Sequence, residues 1–288
     1  TDLASMICSL EISIPDTLLS FLANSIAIAP VNFIIFNNSS YPKHYSTSSV
    51  LLGLSATINA LFEEKTLPSP PLKFLLDGTD SSNDEINDPG ASYGETWVNA
   101  PAYPEITAGQ NRAKIYNSRS RSMYAWSFLQ MQNAEMSIKE KLTLFWHNHF
   151  VAENTNPHRE YYYMNVLRTN SLKNFKELVK LITVDTNMLI YLSGDKNSDV
   201  APNENYSREL LELFTIGKGV AVGNGDYTNY TEDDVVAMAK VLTGWKVRNL
   251  THADTLTSYF SNYRHAKGDK TLSHRFNNAV MLLLINKP

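Results

Sequence analysis

The chain has 288 residues, 43% hydrophobic and 19% charged, with a net charge of -4. That length is ample for a real hydrophobic core. The acidic balance lacks the basic excess that neutralises phosphates, so no nucleic-acid partner is expected, and the single cysteine, Cys8, excludes an internal disulfide framework and a zinc site built of cysteines.

The chain opens on Thr1, not Met, which reads as a processed chain or fragment whose signal peptide is already gone. Asp16 to Ala27 and Ser46 to Glu64 carry apolar residues at helical spacing, so residues 1–65 are expected to be an N-terminal helical segment. The apolar stretch from Ser20 to Phe36 is interrupted by Asn24, Pro30 and Asn32, which suits a buried helix and a turn. Ala279 to Ile285 is too short to span a bilayer, and no transmembrane span is expected. Pro68, Pro70 and Pro71, then a Gly-, Asp-, Asn-, Ser- and Pro-rich run from Asp77 to Tyr103, mark residues 66–110 as a long surface loop.

Helical patterns dominate 111–288. They run from Asn111 to Asn133, from Ser137 to Phe150, from Arg159 to Thr169, from Ser171 to Val184 and from Thr186 to Leu192. Ser137 with Glu140, and Thr231 with Asp234, have the spacing of capping boxes. Asn203 to Ile216 is amphipathic and stops at Gly217, and Thr231 to Thr243 stops at Gly244. A glycine-rich loop joins these two helices, and a short hairpin is expected from Trp245 to Phe260. No repeat and no strand–helix alternation is visible, so the fold class is mainly α: an irregular multi-helix domain with long surface loops and one short β-hairpin, continuous with residues 1–65.

Four segments mix polar and aromatic residues beyond the needs of a core. They are Phe145-Trp146-His147-Asn148-His149-Phe150, the run from Asn203 to Phe214, Thr231-Glu232-Asp233-Asp234 through Thr243-Gly244-Trp245, and Arg264-His265-Ala266-Lys267-Gly268-Asp269-Lys270. With Asn187-Met188-Leu189-Ile190-Tyr191-Leu192, they resemble, over roughly 120–276, the bacterial family known only as domain of unknown function 1800. The resemblance implies a helix-rich, exported protein, secreted or at the cell surface or in the periplasm, often encoded beside a sulfatase-like companion. It also implies further helices past the His265 segment, so the chain reads as truncated at its C-terminus. It supplies no activity.

The residues themselves leave several chemistries open. His147 and His149 stand two apart, about 200° around a regular helix, so they share a metal only where the helix unwinds. Arg208, Glu209 and Glu212 follow Asn205 by three, four and seven residues and form one polar stripe. The stripe serves a structural ion-pair network, with Arg208 and Glu212 paired at i+4. Behind that reading stand a divalent metal held by Glu209 and Glu212, with His147 and His149 as further ligands, and general acid–base catalysis by Glu209, Glu212, Arg208 and His265. Asn224, Asp226 and Thr228 offer alternate oxygens of the kind calcium takes, without an EF-hand's closing glutamate. His265 with Gly268, Asp269 and Lys270 reads as a surface turn or as part of a site. Serine, zinc and cysteine hydrolase signatures do not occur. Two functions stand. One is an exported enzyme hydrolysing an extracellular polymer by metal-assisted or acid–base chemistry. The other is a non-catalytic helical module bound to a cell-surface protein partner. Three segments converging on one open pocket point to the first; dispersed or ion-paired segments point to the second.

Overall fold

The computed structural model describes residues 54–74, 88, 90–102, 112–153, 156–248 and 256–281. The helix expected from Asp16 to Ala27, the apolar stretch from Ser20 to Phe36, Cys8 and most of the tail after Ala279 lie outside the described residues, as does the start of the helix expected from Ser46.

The fold is mainly α. Helix α1 spans Leu54–Phe62, α2 Arg112–Gln132, α3 Lys139–His149, α4 Pro157–Asn170, α5 Phe175–Thr183 and α6 Thr186–Tyr191. A 3-10 turn, Gly194–Lys196, leads to α7, Glu204–Glu209, which runs on into a π turn, Leu210–Thr215; α8 spans Glu232–Val241. Among the described residues none of these helices is long and apolar enough to cross a membrane.

Helix α2 shows how polar residues can hide a core stripe. Its buried residues, Ile115, Ser118, Arg119, Ser122, Met123 and Trp126, recur at three- and four-residue steps, yet half are polar. Ser122 and Arg119 anchor the stretch expected to be a surface loop. Trp97 is fully buried there, and its Nε1 donates to Ser122 Oγ at 2.9 Å. Arg119 grips Asp88 through two bonds, Nε to Oδ2 at 2.7 Å and Nη2 to Oδ1 at 2.6 Å. The described part of the stretch has little regular structure because its glycines and prolines break it, but Trp97 needs a dry partner, and α2 and α4 supply one.

Helices α3 and α4 pack side by side, and the fully buried Arg168 reaches Glu140 with both nitrogens, at 2.7 and 3.0 Å. That grip explains a failed capping box. Ser137 Oγ accepts from Lys139 N at 3.2 Å, but Glu140 is held by Arg168 rather than by the cap. At α8 the box is complete. Thr231 and Asp234 close it, and the fully buried Asp234 also accepts from Ser273 N and Oγ, each at 2.6 Å. Asp234 was expected only to cap its helix, so this second hold extends its role.

The expected hairpin is present: β3, Trp245–Val247, pairs antiparallel with β4, Ser258–Phe260. Two further pairs occur among the described residues, β1 (Ala221–Gly223) with β2 (Asp226–Tyr227) inside the glycine-rich loop, and β5 (Lys270–Thr271) with β6 (Val280–Met281). The core gathers Trp146, Phe150, Phe175, Leu210, Leu211 and Phe214 from α3, α5 and the π turn. The apolar residues Leu210, Leu211, Leu213 and Phe214 suggest a helix packed on several sides, with all four buried, yet Leu213 is 58% exposed. The π turn widens the helix by a residue here, which carries Leu213 outward while Leu211 and Phe214 face in.

Candidate functional site

Helix α7 starts where Asn203 caps Tyr206 N and ties back to the Leu192 and Ser193 carbonyls. The buried Ser207 then donates to the Val235 carbonyl at 2.7 Å and so locks α7 onto α8. This docking turns Arg208 to the first turn of α8. Its guanidinium grips Glu232 at 2.9 and 2.7 Å, not Glu212 as the i+4 spacing suggested. Both oxygens of Glu232 meet the flat fork at once, a geometry that beats a single contact along one helix. The hydrogen bonds to Arg208 hold the Glu232 carboxyl below its ordinary value and raise that of Arg208. Glu212 accepts from Tyr230 Oη at 2.6 Å and lies 3.6 Å from Lys218 Nζ. Glu209 is half-buried and makes no hydrogen bond or ion pair among the described residues. The partner expected for it, a histidine or arginine, is not bonded to it.

Helix α3 stays regular through His149, so the two histidines diverge. His147 Nε2 lies 3.3 Å from Glu160 Oε1. His149 Nε2 donates to the Phe214 carbonyl at 3.0 Å, with its ring among Phe145, Phe150 and Phe175. Burial lowers the His149 pKa, which keeps the ring neutral with its proton on Nε2. His265 is buried in a cage of its own. Its Nδ1 faces the Thr243 carbonyl at 2.7 Å, and Lys270 Nζ donates to Nε2 at 3.0 Å. Burial lowers both His265 and Lys270. The turn expected at 265–270 is thus partly interior, because His265 and the Ala266 N–H fasten it to Thr243 just past the end of α8, and Lys270 closes the turn on the Ala266 carbonyl.

The expected site residues therefore fall into three clusters, around Arg208, around His147 and His149, and around His265, and of these residues only the Glu209 side chain is left without a partner among the described residues. Asp226, one of the oxygens that suggested calcium, is bonded by Arg275 through Nε and Nη2, and Thr228 Oγ1 is occupied by Val220 N. No group of three His, Cys, Asp or Glu side chains able to hold a metal gathers among the described residues. Trp146 is buried and donates to the Ser171 carbonyl, and Trp245 is half-buried against Phe260. Both are wall or core residues, as their places at the ends of helices suggested.

A fourth cluster escaped sequence reasoning. Glu160 of α4 joins His147 to the fully buried Asn187, whose Nδ2 donates to Glu160 Oε2 at 3.3 Å. Asn187 Oδ1 has no partner among the described residues. Asp185 caps α6 by accepting from Asn187 N at 2.7 Å, and burial, with the Glu160 charge adding to it, raises its carboxyl to about 6. The signal lay in Asp-Thr-Asn, a helix start, and in Glu160 following the Asn156-Pro157 start of α4 by one turn.

Architecture and clusters together define a class: a mainly α protein in which Arg–carboxylate pairs tie its elements together, two of them, Arg168–Glu140 and Arg208–Glu232, joining helix to helix. The chain belongs to the family described as protein of unknown function DUF1800, whose model matches residues 44–280. No curated protein and no solved structure matches it.

Proposed function

We propose that the protein is a non-catalytic helical module of a secreted or cell-surface assembly. One observation carries this: Arg208, His147, His149 and His265 each meet a different partner inside the fold, namely Glu232, Glu160, the Phe214 carbonyl and the Thr243 carbonyl. A catalytic centre instead keeps reactive groups within reach of one another and of a shared space. The test is elemental analysis of the purified protein together with Glu209→Gln. The module holds no stoichiometric metal, and the variant keeps the wild-type melting temperature. One equivalent of a divalent metal per chain, lost in Glu209→Gln, overturns the proposal.

The unpartnered Asn187 Oδ1 favours a second reading. A buried acceptor left open beside Glu160 and His147 suits a bound hydroxyl or water, and a carboxyl raised to about 6 suits proton transfer near neutral pH. The chemistry is acid–base hydrolysis of an extracellular polymer: the Asp185 carboxyl protonates the leaving oxygen as its bond to carbon breaks, and the Glu160 carboxylate takes the proton of the water that forms the new bond. Release of reducing ends from polysaccharide, abolished in Glu160→Gln with the fold intact, supports it. Equal release by wild type and variant dismisses it.

A further inference from the structure

The Arg264 segment has a second side. Lys246 and Tyr259 are directly paired across β3 and β4, which puts them on one face of the hairpin, and Ser261 follows Tyr259 by two residues on that same side. The opposite face holds Trp245 against Phe260, ring centroids 5.4 Å apart, and Phe260 against His265 at 5.1 Å. The hairpin can start so sharply because Gly244 takes φ +93°, and a Cβ there would meet the Ser261 carbonyl at 2.9 Å. From the other direction, the 3-10 turn Gly194–Lys196 brings up Asp195 and Lys196. The result is a cleft of about 390 Å³ lined by Asp195, Lys196, Lys246, Tyr259, Ser261 and Arg264.

Its charge is at odds with the rest of the chain. The protein carries a net -4, yet this cleft sets three cations against one carboxylate. Arg119, Arg168, Arg208 and Arg275 each hold a carboxylate. The Arg264 and Lys196 side chains make no hydrogen bond or ion pair among the described residues. Lys246 donates to the main-chain carbonyl of Asp195, which offers it no countercharge. Arg248 stands at the rim, 5.7 Å from the Tyr259 ring centroid. Of the three cations Lys246 is half-buried and Lys196 and Arg264 are exposed, and like charges gathered at one cleft repel one another unless an anion joins them.

We infer that this cleft binds the acidic group of a saccharide: Lys196, Lys246 and Arg264 hold a sulfate, phosphate or carboxylate, and Tyr259 lies against the sugar ring. The ring-sized volume, the 43% exposed tyrosine and the Ser261 hydroxyl suit a sugar bearing an oxyanion better than a free ion. The cleft is separate from the Arg208 and Glu160 clusters, so the inference stands whether or not the protein is catalytic.

The test is calorimetric titration of the whole chain with a sulfated hexasaccharide, a galacturonate hexamer and inorganic phosphate, with a single-stranded oligonucleotide as a further arm. Arg264→Gln with Lys196→Gln removes two exposed cations that hold no part of the fold. Lys173→Gln with Lys240→Gln, which changes net charge equally elsewhere, is the control. One of the two acidic saccharides is expected to bind best, and the cleft variant to weaken it about tenfold or more, the weight of a charge-assisted contact, with the control unchanged. Equal weakening in the control, tighter binding of phosphate or the oligonucleotide, or no binding of any probe overturns the inference.

Discussion

Two regions of the molecule use the same pairing of arginine and carboxylate in opposite surroundings. At the interface of α2 with the Trp97 stretch, Arg119 and Asp88 are each 1% exposed. At the interface of α7 and α8, Arg208 and Glu232 are 33% and 39% exposed. Water can replace either partner in the second pair and neither in the first. The buried pair is therefore a condition of the fold, and the exposed pair adds orientation and little stability. The segment most conspicuous in the sequence, Arg208 to Glu212, thus carries the weaker of the two.

Cutting the buried pair is expected to have the largest effect. Arg119→Met strands the Asp88 carboxylate, and a loss of about 3–5 kcal/mol is expected, read by urea denaturation. Adding Asp88→Leu should recover much of that loss, because no lone charge then remains. A single variant as stable as wild type would remove the distinction between the regions.

The π turn offers the next contrast. Leu211→Ala empties a core position and should cost about 2–5 kcal/mol, whereas Leu213→Ala, at an exposed one, should stay within about 0.5 kcal/mol. Equal losses in thermal denaturation would place Leu213 inside after all.

A pH titration sharpens the comparison further. Asp185, raised by burial to about 6 from 3.8, stabilises the fold fully below 3.8 and loses that contribution as pH rises through about 6. His158, lowered by burial and the Arg119 charge to about 4 from 6.5, contributes fully above 6.5 and loses it as pH falls through about 4. The two oppose each other across that window. Asp185→Asn keeps a cap acceptor and removes one of them. The variant should melt higher than wild type at neutral pH, by about 2–4 °C for each kcal/mol relieved, and lose stability steadily as pH falls from 6.5 toward 4. An unchanged pH profile would show that Asp185 is not the group titrating.

The smallest effect belongs to the exposed pair. Arg208→Gln should lower stability by about 0.2–1 kcal/mol, and less in high salt. A loss several times larger, independent of salt, would make the two regions alike.

Much of the helical architecture was legible because apolar spacing and end signals agree. Asn203 and Thr231 cap their helices, and Gly217 ends the run from Asn203 with φ +72°. The role of Trp97 was not legible, since glycines and prolines around it carry no period and its partner Ser122 looks like surface on a polar helix. The Glu160–Asn187 contact joins residues 27 apart, and no pattern of local spacing encodes it. Arg208 was recognised as an ion-pairing residue, but its partner came from the next helix, because helix docking rather than i+4 geometry decides which carboxylate it meets.

The π turn at Leu210–Thr215 has one more consequence. It works as a phase shifter: one residue more than a regular helix needs is absorbed without lengthening the axis by much. Everything after it, Gly217 and the β1–β2 hairpin included, therefore leaves the helix in the direction it would take without that extra residue. Deleting one residue between Leu210 and Thr215 would restore a regular helix and keep the hairpin's direction, whereas deleting one from the regular α7 would swing it by about 100° around the axis. The Phe214 carbonyl would turn away from His149, so the chain's tolerance of insertions and deletions here is set by angle rather than by length.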